Sequence, residues 1–140
     1  MIPDDYPPVI SGTRHLESLK KIGEVILYNS RPKSDEELVK RIRGADVVVN
    51  IRSYCKFPEN VLKKAESLRL ISIWGTGTDN IDLQAASKLG ITVTNTPGAA
   101  TESVAEHALT LMLATARMIP QIDRSVKEGK WVRGLVTQLY

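Results

Sequence analysis

Cysteine occurs once in these 140 residues, as Cys55. That excludes an internal disulfide framework and suits a reducing compartment, so a cytoplasmic protein is expected. Aromatic residues are scarce too: one Phe, two Trp and four Tyr, with no clustering of the kind that stacks nucleic-acid bases. Long apolar runs are missing. The longest without a charge, ALTLMLATA, is far shorter than the roughly 20 residues a membrane-spanning helix needs. The opening MIPDDYPP is acidic and proline-rich, which fits neither a signal nor a transit peptide. Charge is nearly balanced, at +3 with a pI near 9.1. The cations (Lys20, Lys21, Lys40, Arg41, Arg43, Lys63, Lys64) are scattered beside glutamates on predicted helix surfaces, a solvated pattern rather than a phosphate track. No membrane, nucleic-acid or metal partner is expected.

Against these absences stands an ordinary globular composition, 42% hydrophobic and 25% charged. Four apolar, β-branched runs recur: VILYN at 25–29, VVVNIR at 47–52, LISIW at 70–74 and ITVTN at 91–95. Their starts lie 22, 23 and 21 residues apart, and runs this apolar suit strands buried on both faces of a parallel sheet. Helix patterns with readable ends lie between them. Ser34 and Glu37 form a possible capping box, with Gly44 at the stop; Pro58 can occupy a first helical position; Asp82 can cap a helix that Gly90 ends. Repeating βα units predict a doubly wound α/β layer with right-handed crossovers. Ligands of such sheets gather outside the carboxyl ends of the strands. Arg52, the GTG turn at 75–77 and the NTPGAAT loop at 95–101 are therefore expected on one edge.

Residues 104–119 are apolar nearly all round, from Val104 through Leu109, Leu111, Met112 and Leu113 to Ile119. Ser103 with Glu106 offers a capping box and Pro120 a break. A helix without a polar face expects burial on every side, by a second domain or a second subunit. A short amphipathic helix with Ile122 and Val126 follows, then Gly129.

The turn Gly75-Thr76-Gly77-Thr78-Asp79-Asn80 starts like a dinucleotide fingerprint but has asparagine where the third glycine belongs. It also reaches its helix several residues late, at Asp82. It is not a pyrophosphate cradle. Two readings stay open for it: a connection needing bare backbone, or amides exposed to a small anion such as a carboxylate.

The stretch GTGTDNIDLQAASKLGITVTNTPGAATESVAEHALTLMLATAR, with DDYP and ADVVVNIRS upstream and KEGKW downstream, resembles the D-2-hydroxyacid dehydrogenase family. The resemblance covers most of the chain, and its combined motif is specific. It implies a flavodoxin-like substrate domain over residues 1–100, then a long interdomain helix and the start of a nucleotide-binding domain over 101–140. It implies an NAD (or NADP)-dependent oxidoreductase acting on the CH–OH group of D-2-hydroxy acids. The amides of Gly75, Thr76 and Gly77 would hold the substrate carboxylate, with Thr76 also near the cofactor. Arg52 and Ser53 match the position that reaches the substrate's acid or polar group, while Thr101 and Val104 match positions near the nicotinamide and its phosphate. Arg52 as a surface ion-pair former and Val104 as plain core remain the alternatives.

Family members take their acid–base histidine from beyond the Rossmann fingerprint, so no catalytic residue is expected in this chain. His107 reads as structural or interfacial, and His15 belongs to an amino-terminal helix. The first family strand has only Met1, Ile2 and Pro3 to represent it, and the cofactor would be held mostly by a missing domain. The chain therefore reads as a truncated fragment, inactive alone and self-associating through the 104–119 helix. Tyr54 and Phe57 hint at a partly apolar substrate pocket. Two rival folds or roles share parts of this pattern. A receiver domain fails because Asn50 and Arg52 stand where its phosphate-accepting aspartate belongs. An NAD-sensing corepressor or other non-enzymatic module of the same fold is the second.

Overall fold

A computed structural model describes residues 1–131. The chain forms two compact units, Met1–Pro97 and a second starting at Gly98.

In the first unit three strands make one parallel sheet: β1 (Val47–Asn50), β2 (Leu70–Ile73) and β3 (Thr92–Thr94), in that spatial order. Val47 lies opposite Leu70 and Leu70 opposite Thr92, so the even sequence spacing becomes an even register. Four helices flank the sheet: α1 (Arg14–Lys20), α2 (Asp35–Ile42), α3 (Glu59–Leu62) and α4 (Leu83–Lys88). Three begin on side-chain caps, each worth about 1 kcal/mol. Thr13 accepts from the Leu16 amide, Ser34 from Glu37 and Asp82 from Ala85. The Ser34–Glu37 pair is only half a capping box, because the Glu37 carboxylate accepts from the Lys33 amide (2.8 Å). Pro58 is the N-cap of α3 rather than its first helical residue, with ψ at 169°.

The expected strand at 25–29 is reduced to a bridge between Ile2 and Leu27. Ile2 donates to Ile26 (2.8 Å) and Tyr28 donates to Ile2 (3.0 Å), but the next amide to reach the Tyr28 carbonyl is that of Asp5 (2.8 Å), one residue late for a regular ladder. On its other side the same segment meets β1, where Val49 donates to the Met1 carbonyl (2.9 Å). Two residues thus supply the shared neighbour that the expectation of a lost first strand had left out.

Packing differs between the two faces. Val48 and Ile71 are fully buried with Leu38, Ile42, Phe57, Leu62 and Ala86 beneath α2, α3 and α4. On the other face Ile2, Ile10 and Leu16 gather partly buried Val25, Leu27, Val49 and Ile51. A seven-residue α1 is too short to cover that face, so Val47 remains exposed and the strands are not buried on both sides as expected.

The second unit contains α5 (Thr101–Ala116) and α6 (Ile119–Lys127), which touch each other. α5 starts without a side-chain cap, with Ser103 already inside the helix, so the Ser103–Glu106 box does not form. It ends at Ala116 instead of reaching Ile119, because Met118 adopts a left-handed conformation (φ 53°) and Pro120 lies in the first turn of α6. No residue of α5 is buried, and Val104, Leu109, Leu111, Met112 and Leu113 are all exposed. His107 is exposed as well. No described helix is long and apolar enough to cross a membrane.

Candidate functional site

β1 and β2 deliver the chain side by side to the carboxyl edge of the sheet, where two loops are laced together. Phe57 donates to the Asn80 carbonyl (2.7 Å), Asp82 donates to Phe57 (3.0 Å), and the buried Asn80 Nδ2 donates to the Cys55 carbonyl (2.7 Å). Asn80, the residue that breaks the dinucleotide fingerprint, is thus the clasp between the loops. Between them lies a concavity of about 440 Å³, lined by Asn50, Ile51, Arg52, Ser53, Lys56, Ile73, Trp74, Gly75, Gly77, Asp79 and Asn80. A second one of about 420 Å³ lies at the amino ends of the strands, around Met1, Val47 and Arg69, and contains none of the sequence-predicted residues. Only the first has the position expected of a parallel-sheet ligand site.

The 75–77 turn offers donors rather than acceptors. The Gly75 carbonyl accepts from the Thr96 amide (2.8 Å) and hydroxyl (3.2 Å), and the Thr76 carbonyl accepts from Asn95 Nδ2 (2.8 Å). The amides of Gly75, Thr76 and Gly77 have no acceptor among the described residues. Gly75 has φ 154°, a backbone setting that side-chain-bearing residues rarely adopt. A Cβ on Gly77 would meet only Asp79 Oδ2, at 3.8 Å. Three free amides, with the carbonyls of Gly75 and Thr76 tied back, make a local positive field suited to an anion.

Arg52 leaves β1 half-buried. Its Nη2 donates to the Pro7 carbonyl (3.2 Å), and its buried Nε has no partner. It forms no ion pair among the described residues, so it is not the surface ion-pair former that was its alternative. Pro7 lies in the loop that Asp5 closes, a fully buried carboxylate that sequence reasoning passed over. Asp5 accepts from the amides of Val9 (2.8 Å), Ile10 (3.2 Å) and Ser11 (3.0 Å), and from the Ser11 hydroxyl (2.8 Å). Burial pushes its pKa up, but the hydrogen bonds outweigh burial and leave it below the ordinary carboxyl value. Its signal was visible: an aspartate followed by a Pro-Pro turn and a serine.

Arg52, Ser53, Gly75 and Gly77 therefore share one concavity, while Thr76 stands in the turn without lining it. Thr101 opens α5 and Val104 donates to the Ala100 carbonyl (2.9 Å) in its first turn, where the amides of Glu102 and Ser103 have no partner among the described residues. Phe57 does not form the expected pocket wall: it is fully buried in the core. Tyr54 is exposed and stacked under the Arg31 guanidinium, 3.4 Å from its ring centroid. Lys56, Trp74 and Asp79 line the concavity without having been singled out.

The parallel α/β fold is shared with solved structures. A D-lactate dehydrogenase from Aquifex aeolicus, determined with NAD and lactic acid, superposes with a TM-score of 0.78 over 99% of this chain and 40% of its own, at 24% identity. The family D-isomer specific 2-hydroxyacid dehydrogenase, catalytic domain, matches residues 8–133, and the chain belongs to it. A D-3-phosphoglycerate dehydrogenase from Archaeoglobus fulgidus is 51% identical over 100 residues, covering 71% of this chain and 19% of the relative. A hydroxypyruvate reductase from Thermotoga maritima is 48% identical over 108 residues, covering 77% of this chain and 35% of the relative. The chain thus spans about a fifth to a third of the length of these relatives.

Proposed function

We propose that this chain is the substrate-binding portion of an NAD(P)-dependent oxidoreductase acting on the CH–OH group of D-2-hydroxy acids. One observation carries the reading: Gly75 and Gly77, with unclaimed amides, and Arg52, with an orphaned Nε, line one concavity. The amides of Gly75, Thr76 and Gly77 bind the carboxylate. Arg52 and Ser53 bind its second oxygen or the hydroxyl. The names of the relatives, a phosphoglycerate dehydrogenase and a hydroxypyruvate reductase, support chemistry at a carbon next to a carboxylate.

The described residues fit only part of a dinucleotide. The 75–77 turn leads to no helix N-terminus within reach, since α4 starts at Leu83. The first turn of α5, with Thr101 and Val104, has free amides suited to one phosphate, and Thr76 would approach the nicotinamide. The cofactor supplies the hydride; this chain's residues fix the acid that receives or donates it. Hydride transfer also needs a proton acceptor poised near neutral pH. Neither His15 nor His107 lines the concavity. The chain alone is therefore proposed to bind substrate without turning it over. Its exposed apolar α5 is proposed to be covered by a second copy, in a cytoplasmic assembly.

The test is a titration of the chain with D-glycerate, followed by NMR at the amides of Gly75, Thr76 and Gly77. We expect those three amides to shift, with millimolar affinity that is lost in Arg52→Met. Shifts confined to other loops would sink the reading. NADH oxidation with glyoxylate or hydroxypyruvate by this chain alone would sink the inactivity.

A further inference from the structure

We propose that Arg31, which lies outside the concavity, is a positioning residue that holds Arg52 in place for the substrate acid. The inference rests on the carboxylate-binding reading of Arg52 above and adds what fixes that guanidinium. The loop after β1 is anchored unevenly. Its far half is held by hydrogen bonds, through the Cys55 carbonyl to Asn80 and through Phe57 to Asn80 and Asp82. Its near half is not: the backbone groups of Arg52, Ser53 and Tyr54 have no hydrogen-bond partner among the described residues. Side chains tie it down instead, and they reach the loop that Asp5 closes. Arg52 Nη2 donates to the Pro7 carbonyl (3.2 Å). Next to that bond, Arg31 contacts both Tyr54 and Tyr6, its guanidinium carbon 3.4 Å from the first ring centroid and 5.6 Å from the second.

Arg31 can serve as a clasp because its own backbone is fixed from below. The buried Arg41 guanidinium donates to the Ser30 carbonyl, to Ser30 Oγ (3.1 Å), to the Arg31 carbonyl (3.4 Å) and to the Pro3 carbonyl (2.7 Å). Arg31 forms no ion pair among the described residues, so no carboxylate competes with the two rings for its charge. A cation over a tyrosine face is a weak contact at an exposed site, but a stretch without backbone bonds needs little to restrict it. Without the clasp, Arg52 to Tyr54 hang on the single bond to Pro7. An arriving acid must then order the stretch at the expense of its own affinity.

Calorimetric titration with D-glycerate, paired with NMR relaxation of the backbone amides in the ligand-free chain, tests this. Arg31→Met and Tyr54→Leu should each weaken D-glycerate binding by about fivefold, the scale of one exposed cation–π contact. Each should also raise the mobility of the amides at positions 52–54 before any acid is added. The double variant should bind no more weakly than either single one, since both remove the same contact. Arg31→Lys, which keeps a cation over the rings, should retain most of the affinity. Urea midpoints should stay near that of the unmodified chain, because both side chains are exposed. Weakening by Arg31→Met but not by Tyr54→Leu would make Arg31 a distant charge rather than a clasp and overturns the proposal. Amides at 52–54 that relax alike in every variant, or a lowered urea midpoint that accounts for the lost affinity, overturn it too. If Arg52→Met abolishes binding while neither variant changes it, only the positioning role fails. If no acid binds the unmodified chain, the carboxylate reading fails and takes this role with it.

Discussion

Replacing Asp5 should damage both the fold and the site, by separable amounts. Its two oxygens are the acceptors for three amides and one hydroxyl in the 5–11 loop. Asp5→Asn keeps one carbonyl for Val9 and Ile10 but turns an NH2 towards the Ser11 amide. A buried donor left unsatisfied costs about 1–3 kcal/mol, and loss of the charge weakens the remaining bonds. A destabilisation of about 3 kcal/mol is expected, a large part of the roughly 5–15 kcal/mol available to a domain. Asp5→Ala strips every acceptor and should cost about twice as much.

Because the Asp5 pKa is lowered in the fold, its contribution is fully present above the ordinary carboxyl value of 3.8 and is lost as pH falls through the lower folded value. Urea unfolding should therefore show a constant gap between the chain and Asp5→Asn from neutral pH down to about 4, closing below it. Pro7, carried on the same loop, accepts from Arg52. Loosening the loop should weaken D-glycerate binding by about tenfold, the scale of one charge-assisted hydrogen bond. A variant with an unchanged urea midpoint, or a gap that persists undiminished into acid, would refute the reasoning.

The two glycines of the turn should respond differently. Gly75→Ala forces an L residue to φ 154° and should cost about 1–3 kcal/mol of stability, whereas Gly77→Ala meets only Asp79 and should unfold at nearly the same urea concentration while losing carboxylate binding. Cys55 is buried, and burial, with the charge of Asp4 next, raises its thiol to about 12. Its contribution to stability is full below the ordinary thiol value of 9.0 and declines as pH rises towards 12, and alkylation at pH 8 should occur only on unfolding; rapid labelling of the native chain would contradict this. Met112→Glu places a charge on the exposed apolar side of α5 and should shift sedimentation from dimer towards monomer, whereas a chain already monomeric at high concentration rules out the assembly.

The βα rhythm was legible because strands and helix caps are local: Val47 and Leu70 start their strands where the runs start, and Ser34 and Asp82 cap where they were expected to. The strand at 25–29 failed because a strand is a pairing, and its partner is a short segment whose register slips by one residue after Ile2, where Asp5 donates to Tyr28. The end of α5 was misjudged because apolarity continues through Met118 while the backbone does not. At the site, Arg52 and the glycines could be found from their place after strands. Asp5 and Asn80 could not, since their importance lies in which distant amides and carbonyls they meet. Phe57 was misassigned because an aromatic in a loop looks exposed until a bridge to Ile81 draws it inward.

Tying the carbonyls of Gly75 and Thr76 back to Asn95 and Thr96 has an effect beyond freeing the amides. The first half of the turn becomes one-signed: it presents hydrogen-bond donors while the Gly75 and Thr76 oxygens are already engaged. An arriving acid finds the dipoles already oriented, so docking requires little backbone rearrangement, and its rate should depend on diffusion and ionic strength more than on any conformational step.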